Sequence, residues 1–476
     1  MPEQHVPLRL DETRALDLLT PRVSPAHLQE IDARVAASLA AFRAEQEQGY
    51  SGLQRSLRAW TQSHLREDDI RATVELAERV RARFDVFVLV GIGGSDLGGR
   101  TLHDTLDHPF HNQLPREDRG GAPEIYFTGD TFDPKRLVAL TDLLEARGLL
   151  DRTCFDVVSK SGKTGETVSA AMVARDRMMR AGIADWPSHV IATTGFDSES
   201  VLYQMNARAP FFGVLPVPNG VGGRFSFASP VGLLPFAVAA VGSSPEARVR
   251  EALKGYAWAH VRGLEPAGES NLAARLARWW HVAERLGGCT ELVFCNYADD
   301  SRLGDWFVQL YEESLQERGE GLNVLSTRGP TGNHSILNGI LRGPRDKCVL
   351  VVEWEDLGTS ATIPADTGIE GELESFGGLG MESVQRASCH ATVDDYLANG
   401  VPTATLTCRA RDGACLFALM RVLMDAVALK GRLQGLHVGE DDTVTPGRDL
   451  TYLQHGVEGY KVRTRQNAEE MRAQSA

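Results

Sequence analysis

Serine and threonine hydroxyls crowd into one stretch, Ser159-Lys160-Ser161-Gly162-Lys163-Thr164-Gly165-Glu166-Thr167, directly after an apolar run ending at Val158. A hydroxyl-rich loop running from a strand into a helix suits a phosphate monoester, because the free N–H groups of the first helical turn add their dipole. Ser and Thr are also ordinary helix caps, but Ser159, Ser161, Thr164 and Thr167 together exceed what capping requires. Gly162-Lys163-Thr164 resembles the end of a nucleotide-binding loop. That motif needs a glycine five residues earlier, where Val157 stands, so nucleotide hydrolysis is not expected. A second loop, Gly91-Ile92-Gly93-Gly94-Ser95-Asp96-Leu97-Gly98-Gly99, follows Val90. A dinucleotide fingerprint would put its third glycine at Asp96, and that reading fails.

The hydrophobic pattern supplies the elements that must hold these loops. Residues 11 to about 82 read as helices, with Leu28, Ile31, Val35, Leu39 and Phe42 at three- and four-residue spacing. An abrupt apolar strand, Asp85–Val90, then precedes the first loop, and further strands follow at Glu124–Phe127, Cys154–Val158 and His189–Thr193. After a helical stretch at about 246–287 comes a second series, Glu291–Cys295, Cys348–Val352 and Thr403–Leu406. Each run is short and apolar on both faces, as in a parallel sheet covered by helices. The Gly-rich segment from Gly368 to Gly380 reads as a loop, and the tail from Gly447 as polar helix. The expected class is α/β: two doubly wound units with helical arms at both ends. The expected limits are a helical arm at 1–82, a first unit at 83–245 carrying both loops, connecting helices at 246–286, a second unit at 287–440 and a helical tail at 441–476.

Composition narrows the classes of function. The 476 residues include 50 basic and 64 acidic side chains, a formal charge of −14. That balance disfavours nucleic-acid binding through a basic surface. No apolar run approaches the roughly 20 residues that span a bilayer, and the acidic N-terminal stretch has no apolar signal core. Seven cysteines without a CxxC pair, mostly in apolar runs, read as reduced core thiols. His103, His108 and His111 lack the partner spacing of a zinc site, so no metal is expected. These features point to a soluble cytoplasmic enzyme with neither nucleic-acid nor membrane partners.

Further motifs run along the chain: Val221-Gly222-Gly223-Arg224-Phe225-Ser226 with Ser229–Pro235, Gln309-Leu310-Tyr311-Glu312-Glu313-Ser314, Asn333-His334-Ser335 with Arg342–Lys347, and Gln454–Lys461. Together with the two loops, and in this order, they resemble the signatures of the glucose-6-phosphate isomerase (phosphoglucose isomerase) family. The resemblance spans residues 91 to 461. It implies two sugar-isomerase (SIS) domains, each a doubly wound α-β-α sandwich. It also implies a homodimer with active sites at the subunit interface, a sugar-phosphate substrate, and no cofactor or metal.

Aldose–ketose interconversion requires ring opening, proton transfer between C1 and C2, and stabilisation of an enediolate. A carboxylate can take the proton and return it to the adjacent carbon. By the family motif Glu313 aligns with this base and Gln309, one helical turn earlier on a predicted helix at about 301–315, with a site glutamine. Its neighbour Glu312 is expected on a solvated face. Arg224 follows two glycines, which lets the backbone approach a ligand closely, and its guanidinium suits the developing enediolate charge. His334 resembles the family's ring-opening histidine, supplied by the partner subunit. Lys461 resembles its assisting lysine, and Gln454, seven residues earlier, is expected on the same helical face. Gly94, Ser95, Ser159, Lys160, Ser161, Thr164 and Gly223 complete the expected binding set.

Some residues depart from the family pattern: Gly99, Lys163, Leu315-Gln316-Glu317-Arg318 after the Glu-Ser pair, and Gly332-Asn333 before His334. The reading is a glucose-6-phosphate isomerase working through a cis-enediolate. Its competitors are an isomerase that also accepts mannose 6-phosphate and a non-catalytic sugar-phosphate-sensing SIS protein. A sensor needs the loops but has no use for Glu313, Arg224, His334 and Lys461 together.

Overall fold

A computed structural model describes residues 7–366, 368, 372–438 and 448–474. Ten strands form two five-stranded sheets. The first contains β2 (Val86–Val90), β3 (Glu124–Thr128), β4 (Thr153–Val158), β5 (Val190–Thr194) and β6 (Gly213–Pro216), in the order β3-β2-β4-β5-β6 and parallel throughout. The second contains β1 (Leu8–Asp11), β7 (Glu291–Asn296), β8 (Asn323–Arg328), β9 (Lys347–Asp356) and β10 (Thr403–Ala410), in the order β1-β10-β9-β7-β8. Its strands are parallel except β1, which pairs antiparallel with β10. The α/β class with two doubly wound units is therefore the fold observed.

Alternation along each strand explains why the runs are apolar on both faces. Val86, Val88 and Val90 of β2 pack against Leu137, Leu140 and Leu144 on one helix and Ala170, Ala174 and Met178 on another. Phe87 and Leu89, from the same strand, point the other way into a large core shared with the second unit. In the second sheet Val293, Cys295, Val349 and Val351 face the helix Met381–Ala398, whereas Leu292, Phe294, Leu350 and Val352 enter the shared core. The helix Gly413–Leu433 is buried along nearly its whole length there. Trp280 is fully buried in the same core and holds Phe307 and Tyr311 at ring-centroid distances of 5.9 and 5.5 Å. Truncating it to Ala costs about 3–5 kcal/mol and loosens the helix that carries those two rings.

Several expectations need correction. Residues 1–82 are not purely helical where described, because Leu8–Asp11 joins the second sheet as an edge strand. Strands β6 and β8 lie where no strand was expected; both are partly exposed, β6 is only four residues long and ends in Pro216, and β8 mixes Val324 and Leu325 with polar residues. Within the segment read as a Gly-rich loop, Glu372–Phe376 makes one 3-10 turn. The boundary expected at 440/441 lies outside the described residues. All seven cysteines are buried and none is in a disulfide. Among the described residues no helix is long and apolar enough to cross a membrane, and no group of three His, Cys, Asp or Glu is placed to hold a metal.

Candidate active site

Strand order in the first sheet reverses at β2, which is flanked by β3 and β4. Loops at the carboxyl ends of strands open a crevice at such a point. Gly91–Ser95 follows β2, and a Cβ on Gly94 would lie only 2.0 Å from the carbonyl carbon of Gly223. Only glycine allows this contact, and it draws the Gly223-Arg224 segment against the first loop. Ser226 Oγ donates to the Gly94 carbonyl at 3.1 Å and fastens the two together.

Arg224 is 4% exposed and its guanidinium is fully engaged. Nε donates to Ser314 Oγ at 2.7 Å, Nη1 to Glu313 Oε2 at 3.1 Å, and Nη2 to the carbonyls of Thr451 and Leu453 at 2.7 and 3.1 Å. Burial pushes its pKa down while Glu313 opposes that shift. A guanidinium stays charged in such a setting. Glu313 sits on the helix Arg302–Leu315, which follows β7. Gln309, one turn earlier, donates from Nε2 to Glu313 Oε1 at 3.0 Å. Each carboxylate oxygen of Glu313 thus holds one donor, and the two donors come from different units of the fold. Glu312 is turned elsewhere and accepts from the Val324 N–H at 2.6 Å, and burial pushes its carboxyl up. It is half-buried against β8 rather than on the solvated face expected.

The hydroxyl loop follows β4. Ser159 is buried, its Oγ 3.0 Å from Thr164 Oγ1, and its carbonyl accepts from Thr194 Oγ1 at 2.6 Å. Gly162 adopts φ +64°, a turn that glycine makes without strain. Ser161 Oγ accepts from the Lys163 N–H at 3.2 Å. The Lys160 carbonyl accepts from the Gly195 N–H at 2.9 Å while its side chain is exposed. Ser161, Lys163 and Thr164 line a cleft of about 420 Å³ whose opposite wall is the helix Glu458–Gln474, bearing Lys461 and Arg465. Lys461 Nζ donates to Glu458 Oε1 at 2.9 Å, and Arg465 reaches the Lys163 carbonyl at 3.4 Å. A larger cleft of about 670 Å³, near Asp107, His111 and Arg119, contains none of these residues.

Gly94, Gly223, Arg224, Gln309 and Glu313 therefore converge, Ser95 closes the turn beside Gly94, and Ser161, Thr164 and Lys461 share a cleft of their own. His334 stays apart. It is exposed at the end of the turn Thr331–His334, with no hydrogen bond or ion pair to Glu313, Arg224 or Lys461 among the described residues. The placement of Gln454 is corrected too: it precedes the helix Glu458–Gln474 with φ −153°, so it shares no helical face with Lys461. Sequence reasoning gave no role to Ser314 or to the Thr451 and Leu453 carbonyls. Ser314 stood inside a recognised motif, but nothing in residue type reveals which carbonyls turn toward a guanidinium.

Residues 75–326, more than half of the chain and including both loops, Arg224 and Glu313, match the family model described as phosphoglucose isomerase. The chain belongs to the phosphoglucose isomerase family. A curated glucose-6-phosphate isomerase of Rubrobacter xylanophilus is 35% identical over 443 residues, covering 91% of this chain and 95% of that protein. Among solved structures, a hypothetical protein from Thermus thermophilus superposes with a TM-score of 0.75 at 27% identity, covering 97% of this chain and 99% of its own. A glucose-6-phosphate isomerase from Chlamydia trachomatis shares the fold, with a TM-score of 0.72 at 18% identity over 94% of this chain and 87% of its own. The match to the phosphoglucose isomerase model ends before His334, Gln454 and Lys461, so these three rest on their own motifs.

Proposed function

We propose that this member of the phosphoglucose isomerase family is a glucose-6-phosphate isomerase, interconverting glucose 6-phosphate and fructose 6-phosphate through a cis-enediolate. The observation that carries the reading is the clamp of Glu313 between Arg224 and Gln309 beside the first-sheet loops. The phosphate binds at the hydroxyl loop, with Ser159, Ser161 and Thr164 and the first helical turn as donors. Lys160, Gly94, Ser95 and Gly223 frame the sugar. Glu313 takes the proton from C2 of the open aldose and returns it to C1, and the fixed Arg224 charge stabilises the enediolate between these steps. His334 protonates the ring oxygen during opening, assisted by Lys461, while Gln454, next to the Leu453 whose carbonyl holds Arg224, binds the sugar. The exposure of His334 and its separation from Glu313 within one chain support a homodimer in which the partner subunit supplies this histidine. On this scheme the unit at 83–245 gives the phosphate loops and the unit at 287–440 gives the base.

A coupled assay of fructose 6-phosphate conversion, with EDTA present and mannose 6-phosphate run alongside, tests the reading. Turnover unaffected by EDTA and at least about 100-fold slower with mannose 6-phosphate is expected. Equal rates on both sugars make the enzyme dual-specific. Tight sugar-phosphate binding without turnover makes it a sensor.

A further inference from the structure

Beneath the turn that carries His334 lies a buried polar cluster. Tyr297, at the carboxyl end of β7, is 2% exposed, and its hydroxyl lies 2.7 Å from Ser388 Oγ and 3.0 Å from Thr392 Oγ1. Asn333, the residue directly before His334, donates from Nδ2 to Thr392 Oγ1 at 2.8 Å and to the Tyr297 hydroxyl at 3.3 Å. Thr392 in turn donates to the Ser388 carbonyl at 2.8 Å. Gln385 ties the backbone alongside, donating to the carbonyls of Tyr297 and Gly329 at 3.3 and 3.2 Å. The Tyr297 ring packs so closely on this segment that a Cβ at Gly329 would meet it at 2.3 Å.

Such a network is high-stakes: satisfied, it rigidifies one arrangement, and breaking one member strands the others in a low-dielectric site. At this turn it reaches the surface through the residue that follows Asn333. We propose that Asn333, Thr392 and Tyr297 are positioning residues that fix the direction in which His334 presents its imidazole to the sugar ring. The inference rests on the ring-opening reading of His334. It also gives a purpose to the Gly332-Asn333 pair, where the small Gly332 sits against Thr327 and the amide of Asn333 reaches down to the helix Met381–Ala398.

The test separates ring opening from proton transfer. Fructose 6-phosphate must be opened, whereas 5-deoxyfructose 6-phosphate lacks the oxygen that closes its ring and meets Glu313 already open. Turnover of the first and solvent deuterium exchange at C1 of the second are measured for Asn333→Ala, Thr392→Val and His334→Ala. A misplacement of about an ångström costs up to roughly 100-fold, so Asn333→Ala and Thr392→Val are expected to lower kcat for fructose 6-phosphate about 10- to 100-fold with KM unchanged, and to leave exchange on the open analogue within about twofold. Equal losses on both compounds, or no loss, overturn the proposal. If His334→Ala spares the analogue but the other two variants do not, only the positioning role falls. If His334→Ala itself fails to discriminate, the ring-opening reading falls and the positioning role falls with it.

Discussion

At the point where strand order reverses in the first sheet, β2 runs into Gly91-Ile92-Gly93-Gly94-Ser95 and β4 into Ser159-Lys160-Ser161. At the equivalent reversal in the second sheet, β7 runs into Tyr297-Ala298-Asp299-Asp300 and β9 into Leu357-Gly358-Thr359-Ser360. Both places hold a cleft, the second of about 380 Å³. The second is lined by Asp299 and Glu382, and its neighbour Asp300 is consumed in structure, accepting from Thr105 Oγ1 at 2.7 Å and from the Arg302 N–H at 2.9 Å. Both crevices carry hydroxyls and two carboxylates, but the first sets Lys163, Lys461 and Arg465 against Glu166 and Glu458, whereas the second sets Arg411 alone against Asp299 and Glu382, a negative excess that repels a phosphate. Topology thus makes two similar crevices, and on the function proposed above the balance of charge decides which one takes the substrate. The second sheet contributes differently, through the helix bearing Glu313 and the turn bearing His334.

The sharpest way to break this division of labour is at the contact between the two units. Arg224→Gln removes the cation facing Glu313 and leaves Ser314 and two carbonyls without their donor. It is expected to lower kcat about 10²- to 10³-fold and to destabilise the fold by about 2 kcal/mol, read by steady-state kinetics and denaturant unfolding. A smaller effect is expected from the loops themselves. Ser159→Ala combined with Thr164→Val raises KM about 10- to 100-fold, while Thr359→Val with Ser360→Ala in the second sheet leaves kcat/KM within about twofold. Matching losses in the two pairs would erase the distinction between the sheets.

The smallest effect concerns pH. Asp156 is fully buried in β4, where burial pushes its carboxyl up to about 7 despite the Thr193 hydroxyl donating to Oδ1 at 2.8 Å. The centre of the corresponding strand β9, Cys348–Val352, is apolar. Between about pH 4, where the unfolded chain loses this proton, and about pH 7, where the folded chain does, the folded state binds the extra proton. Stability therefore falls as pH rises through that window. Asp156→Asn abolishes this dependence, so its gain in Tm over the parent is larger at pH 8 than at pH 5.

The strands that frame the site were legible because parallel strands between helices are continuous apolar runs, and Val86–Val90 and Thr153–Val158 lead straight into glycine and hydroxyl loops. The edge strand Leu8–Asp11 was not, since four residues gain their strand character only from β10, far along the chain. Within the site, the one-turn spacing of Gln309 and Glu313 translated directly into a hydrogen bond. Spacing misled at Gln454, because the chain turns at His455–Val457 and the helix begins only at Glu458. The carbonyls that hold Arg224 were invisible for a different reason: their direction depends on the path of the backbone, not on side-chain identity.

Glu313→Gln shows whether Glu313 carries the proton between C1 and C2. Binding of fructose 6-phosphate and its solvent deuterium exchange at C1 are measured together. The expected result is a dissociation constant within a few-fold of the parent, with exchange and isomerisation both reduced about 10³-fold or more. Near-parental exchange in Glu313→Gln would contradict it.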